Sequence, residues 1–199
     1  MIQYLGTCLQ HAVQLDYVDF VKHFSKEGDF DPNVTCEENL HAPIFIACSN
    51  LGEGTLEIVK SLLDQDKTRI DMSIQESNKN IFHTLFSDKY DVDGSNWERT
   101  KLIYQILKLF FEKRPEQIKE ILNEPLMPRK DTPLHMACWH QGQELIKLLL
   151  SHGAEKSLFK QNTDGEIPAN LMLTNTLRDY LDQKIDSEGR VKSVYVLYF

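Results

Sequence analysis

The stretch Asp131–Ala154, DTPLHMACWHQGQELIKLLLSHGA, limits what this chain can fold into more than any other. Thr132 is placed to cap a helix, and Pro133 fits the first helical turn, where its missing N–H is not needed. Ala137 is small enough to let a second helix approach, and Leu145-Ile146 with Leu148-Leu149-Leu150 repeat at helical spacing with one apolar stripe. Gly153 supplies the left-handed residue that ends the second helix. Two helices this short cannot bury their apolar faces between themselves, so the unit requires copies that stack on it.

The rest of the chain contains those copies. In the first, Thr7-Cys8-Leu9-Gln10 replaces TPLH, Ala12 keeps the small position and Asp19-Phe20-Val21-Lys22 begins the second helix. Gly28 stands 20 residues after Cys8, as Gly153 does after Pro133. The second copy starts at Ala42-Pro43-Ile44-Phe45, keeps Ala47 and runs through Leu56–Leu63, with three extra residues expected in its turn at Ser49–Glu53. The third has Asn80-Ile81-Phe82-His83 for TPLH and Ile106–Phe111 for its second helix, with Ser87–Arg99 as a long insertion between them. Long insertions in a compact array belong in exposed loops. After the fourth copy, Asn162–Met172 restarts the pattern and then becomes polar, as a terminal cap does. The starts Cys8, Pro43, Ile81, Pro133 and Pro168 are spaced 35, 38, 52 and 35 residues apart.

The Thr132-Pro133-Leu134-His135-x-Ala137 run resembles the ankyrin repeat, whose pattern is T-P-L-H-x-A. One departure is visible: the family's turn glycine falls at Gln141, and Gly142 comes one place late, which predicts a slightly distorted turn. The resemblance implies an all-α fold, an ankyrin-repeat solenoid of stacked helix-turn-helix units, with repeats at about 3–36, 37–75, 76–126 and 127–161 and a cap at 162–184. Residues 185–199 remain as a short extended tail; the valines and aromatics of Arg190–Phe199 (RVKSVYVLYF) favour a strand. That tail packs on the last repeat, adds to a partner's sheet edge or offers its carboxylate to a receptor. A further reading makes the chain a piece of a longer protein and the tail artificial.

The resemblance also implies where binding occurs: the concave face made by the first helices, and the loops that project between repeats. The outward first-helix positions map to His11 and Gln14, Ile46 and Ser49, Thr84 and Ser87, and Met136 and Trp139, with His140 next to the last. Trp139 is the leading candidate, because tryptophan anchors are over-represented in binding energy. Its competing role is partial burial against His140 or the neighbouring copy. Among the projecting loops, Glu37 and Glu38 are candidates to meet a basic partner segment, and Arg129 and Lys130 sit on the stiff loop that contains Met127 and Pro128. Trp97, with Tyr90, makes the Ser87–Arg99 insertion a candidate contact loop. The expected function is a protein-interaction module: adaptor, inhibitor or regulatory subunit. Inhibitors similar to those of NF-kappa-B are one use of this architecture, in which an acidic face meets a basic localisation segment.

Charge supports a protein partner. Residues 1–100 carry 17 acidic against 8 basic side chains and residues 101–199 carry 13 against 14, within a net charge of −8. An acidic half favours a basic protein segment over nucleic acid or an anionic membrane, although the same charges also serve as solvated faces. No basic stripe suited to nucleic acid is present. No apolar run approaches the roughly 20 residues that span a bilayer, and the N-terminus lacks a basic-then-apolar leader, so an intracellular protein, cytoplasmic or nuclear, is expected. Cys8, Cys36, Cys48 and Cys138 have no paired spacing and read as small reduced core residues.

Chemistry-bearing motifs are few. Setting Gly94 at the sixth place of a calcium loop aligns Asp91 and Asp93 but puts Lys89 first and Thr100 twelfth, which removes the bidentate ligand. Cys138 and His140 are two apart without a second ligand pair, so no metal or other cofactor is expected. The G-x-S-x-G, G-x-x-x-x-G-K and G-x-G-x-x-G patterns are absent. His83 and His135 occupy the TPLH histidine position, where the ring ties a turn together. A non-enzyme is expected. The rivals are an enzyme, or an enzyme's targeting domain, that uses the Asp-rich insertion or a cysteine, and a structural spacer.

Overall fold

A computed structural model describes residues 2–26, 31–35, 41–72, 80–86, 97–140 and 142–171. Nine α-helices lie within them: α1 Ile2–Gln14, α2 Val18–Phe24, α3 Pro43–Asn50, α4 Thr55–Leu63, α5 Ile81–Leu85, α6 Trp97–Lys113, α7 Pro115–Ile121, α8 Pro133–Trp139 and α9 Gln143–Ser151. Short 3-10 turns follow at Ala154–Ser157 and Pro168–Leu171, and no strand occurs among the described residues. The fold is all-α, an ankyrin-type solenoid in which packing follows chain order. First helices touch in the row α1–α3–α5, second helices in the row α2–α4–α6–α9, and α1 with α2, α3 with α4 and α8 with α9 form pairs.

Several of these helices hold only five to seven residues, well below the roughly 12–15 that an isolated helix needs in water. They exist because adjacent helices bury their apolar stripes. Leu9 and Val13 of α1, Ile44 and Ala47 of α3, Ile81 and Leu85 of α5, and Leu134 and Ala137 of α8 are all nearly inaccessible. Each large side chain so buried contributes about 1.5–3 kcal/mol, and here the burial comes mostly from an adjacent unit.

Helix starts follow the sequence signals. Asn80 caps α5 by accepting from the Phe82 N–H at 3.0 Å, while His83 Nδ1 accepts the Asn80 N–H at 2.9 Å. At α3, Ala42 offers no capping side chain and Pro43 takes the first turn. Gly54 is required by close packing: an added Cβ would lie 2.3 Å from Val18 Cγ2 and 2.7 Å from an Asp16 carboxylate oxygen. Asp16 in turn accepts the Gly54 N–H at 2.8 Å, which links the first turn to the second. Gly142 also lacks a positive φ; a Cβ there would meet Leu145 Cδ1 at 2.8 Å.

Four expectations are corrected. Ser49 and Asn50 do not sit in the inter-helix turn but complete α3, whose end is set by Leu51 at φ 45°. Residues Trp97–Arg99 of the long insertion form the first turn of α6, so the third copy's second helix starts nine residues before Ile106; residues 87–96 lie outside the described set. Cys8 is exposed, not a core residue, whereas Cys48 and Cys138 are buried as expected. An additional helix, α7, follows α6 after the Arg114-Pro115 elbow, with Ile118 and Ile121 on its buried side. Gly28, Cys36 and the tail at 185–199 lie outside the described residues.

The elbow has a structural purpose. Arg114 donates from Nε to the Thr68 carbonyl at 3.0 Å and from Nη2 to those of Leu63 and Gln65 at 2.9 and 2.6 Å, which satisfies acceptors left over at the end of α4. Gln117 of α7 accepts the Ile70 N–H at 2.8 Å, and Lys113 pairs with Asp64 at 2.7 Å. Arg114→Ala is expected to lower folding stability by about 1–3 kcal/mol, as removal of a charged donor from buried acceptors does. Arg114→Lys should recover less than half of that loss, because a single ammonium cannot reproduce the fork. Urea unfolding of the three proteins measures both.

Candidate protein-binding site

The best-formed polar cluster lies where the fourth helix pair meets the segment that follows it. Leu126 N–H donates to the Asp131 carbonyl at 2.7 Å and closes a turn whose residue Lys130 has φ 59°. The next projection, residues 162–166, folds around Asn162. Its Oδ1 accepts the N–H groups of Asp164 and Glu166 at 3.0 and 2.9 Å, and its Nδ2 donates to Asp131 at 2.8 Å and Glu166 at 3.1 Å. Gly165 takes φ 77°, a conformation that favours glycine. The two projections join where the Thr163 N–H donates to the Arg129 carbonyl at 2.7 Å.

Below them, His135 fastens α8 to the same segment. The Thr132 N–H donates to its Nδ1 at 3.1 Å, so the neutral ring carries its proton on Nε2, which reaches the Glu166 carbonyl at 3.1 Å. The tie spans 31 residues and ends two residues before Pro168. The first copy repeats it with different chemistry: Gln10 Nε2 donates to the His41 carbonyl at 2.7 Å, also 31 residues on and two before Pro43. Glutamine thus substitutes for histidine at the same joint. In the second copy the position is held by buried Phe45.

Residues 129–162 match the family model for the ankyrin repeat. That segment is an ankyrin repeat. No curated protein matches the chain. The matched repeat begins at Arg129 and ends at Asn162, so it includes the TPLH helix, α9 and the first residue of the second projection. Ankyrin repeats mediate protein–protein interaction and are typically non-enzymatic. No helix among the described residues is long and apolar enough to cross a membrane.

Arg129 is the electrostatic centre of this ankyrin repeat. Its guanidinium pairs with Asp131 at 3.2 Å, Asp164 at 2.8 Å and Glu166 at 3.1 Å, and its Cζ lies 5.5 Å from the centroid of the Trp139 ring. Such a cation–π contact is worth about 0.5–1 kcal/mol when exposed. Trp139 remains 45% exposed, so it is held in place without being buried. The neighbouring His140 ring meets Phe86 at 5.3 Å.

The other candidates are scattered. Lys130, His11, Gln14 and Ser49 are exposed, Met136 is half-buried, and the Gln14 carbonyl accepts from Asn50 at 3.1 Å. Ile46 and Thr84 are corrections: both are buried in the stack and present no contact surface. Trp97 is exposed at the start of α6, with its own partners in Glu98 at 2.9 Å and Lys101 at 5.5 Å from the ring centroid. Glu37, Glu38 and Ser87 lie outside the described residues. Sequence reasoning missed Asp131, Glu166 and Asn162; the recurrence of polar residues beside each repeat start was the available signal. Burial raises the Cys48 thiol pKa strongly and pushes that of Cys138 up to about 12, so neither is a ready nucleophile.

Burial holds the His135 pKa below the ordinary histidine value, against the opposing pull of the Glu166 carbonyl and of Asp131. The unfolded chain therefore binds more protons than the folded one as pH falls below about 6.5, and this joint loses stability in that window. His135→Gln should keep a donor for the Glu166 carbonyl, as Gln10 does for His41, and flatten the acid-side decline. Thermal unfolding of both proteins from pH 7.5 to 5 tests this: an unchanged pH slope in the variant would remove His135 as its source.

Proposed function

We propose that the protein is a non-enzymatic adaptor, inhibitor or regulatory subunit that binds a protein partner through the Trp139 surface and the projections beside it. The observation that carries this reading is Trp139 itself: large, exposed, and fixed by Arg129 within a ring of carboxylates. An aromatic held in one orientation loses little freedom on binding, which is the advantage of a preformed surface. Three carboxylates share one guanidinium here, so the surroundings suit a partner segment that brings Lys or Arg. A transcription-factor localisation segment has that composition. The exposed Asp164 and half-buried Glu166 would meet its charges, and Trp139 would cover an aliphatic stem.

The test is affinity capture from cells followed by binding measurement on the partner recovered. Trp139→Ala is expected to weaken that partner about 30-fold or more, the scale of a hot-spot tryptophan, with an unchanged thermal transition. Equal recovery by wild type and variant would favour a structural spacer. Loss of an activity on mutation of Cys138 or Asp91 would favour an enzyme.

A further inference from the structure

The second helices align on Val21, Val59, Leu107 and Ile146, each fully buried. One residue earlier stand Phe20, Ile58, Ile106 and Leu145. Ile58 is 1% exposed and Ile106 and Leu145 are 0% exposed, yet Phe20 is 44% exposed. The cause is position in the row: α4, α6 and α9 each pack against the second helix before them, and α2 has none before it among the described residues. Leu15 and Tyr17, 52% and 59% exposed, adjoin Phe20 and together line a shallow apolar hollow with His11 and Ala12. In the second pair the counterparts of His11, Tyr17 and Phe20, which are Ile46, Thr55 and Ile58, are buried, whereas Asn50, the counterpart of Leu15, is exposed.

The same register gives the charge of the missing neighbour. Glu57 of α4 pairs at 2.8 Å with Lys22, which α2 contributes across the joint. Asp19 holds the position of Glu57 one pair earlier, where its charge also acts on Lys22 of the same helix. Two other anchors are not repeated: Leu15 replaces Asn50, whose side chain reaches the Gln14 carbonyl, and Asp16 replaces Gly54, whose N–H reaches Asp16. A neighbour on this flank would therefore be held by apolar contact and one ion pair.

We propose that the α1–α2 flank is a docking surface for an amphipathic helix of a protein partner, seated as α2 sits on α4, with its apolar stripe over Leu15, Tyr17 and Phe20 and a Lys or Arg at Asp19. This surface is separate from the Trp139 cluster and does not depend on it. The probe is a helix-stapled peptide of this chain's own residues 17–26, YVDFVKHFSK, which carries both the stripe and the lysine, titrated into the isotope-labelled full chain. Saturable amide shifts confined to residues 11–20 are expected. Phe20→Ser should abolish them without moving the thermal transition. A peptide with Lys22→Glu should bind about fivefold more weakly to the wild type, the scale of an exposed ion pair, and recover on the Asp19→Lys chain. Shifts confined to α4, binding unaffected by Phe20→Ser, or a peptide-free dimer that Phe20→Ser abolishes would each overturn the proposal, the last by assigning the face to a second copy.

Discussion

Helices of five to seven residues cannot outlast their own nucleation cost, and nearly everything else in this protein answers to that limit. Each pair survives only because its neighbours remove its apolar stripe from water. Leu9, Ile44, Ile81 and Leu134 thus serve two units at once, their own and the adjacent one. A fold stabilised this way depends on register. If two units slid past each other, every shared contact would be lost together.

Polar ties at the joints fix that register, and they vary from joint to joint. Gln10 to His41 and His135 to Glu166 perform the same task with different side chains, the Asp16–Gly54 bond adds to the first joint, and Phe45 leaves its position at the second joint to apolar contact. After the third pair, the departure from the repeat is larger: α7 and the Arg114 fork replace the usual direct passage to the next unit. Asn123 then continues the bracing, donating to the Gly153 carbonyl at 3.0 Å and accepting from Ser157 at 2.6 Å. The array tolerates an irregular third unit because its loose ends are tied by charged and amide side chains.

The same linear design leaves two kinds of surface. Beside the fourth repeat, an indole is held by a guanidinium that is itself held by three carboxylates, which makes a rigid, acid-rimmed contact. At the first repeat, apolar side chains that the stack would ordinarily cover are exposed. One surface is built by polar networks between projections, and the other by a helix pair with no second helix before it among the described residues.

By itself the sequence determined the repeat and the starts of α5 and α8, because Asn80 with His83 and Thr132-Pro133 act over a single turn and the Leu/Ile stripes mark one helix face. Gln10, as a stand-in for histidine, was legible as a position but not as a bond. Only the tertiary structure decided that Ile46 and Thr84 are buried and that Cys8 is exposed, since each depends on what an adjacent unit covers. It also decided that Trp139 lies under Arg129 and that Arg114 caps a helix about fifty residues earlier in the chain. Those contacts join residues far apart in sequence, and no local spacing encodes where a neighbouring repeat places its charges.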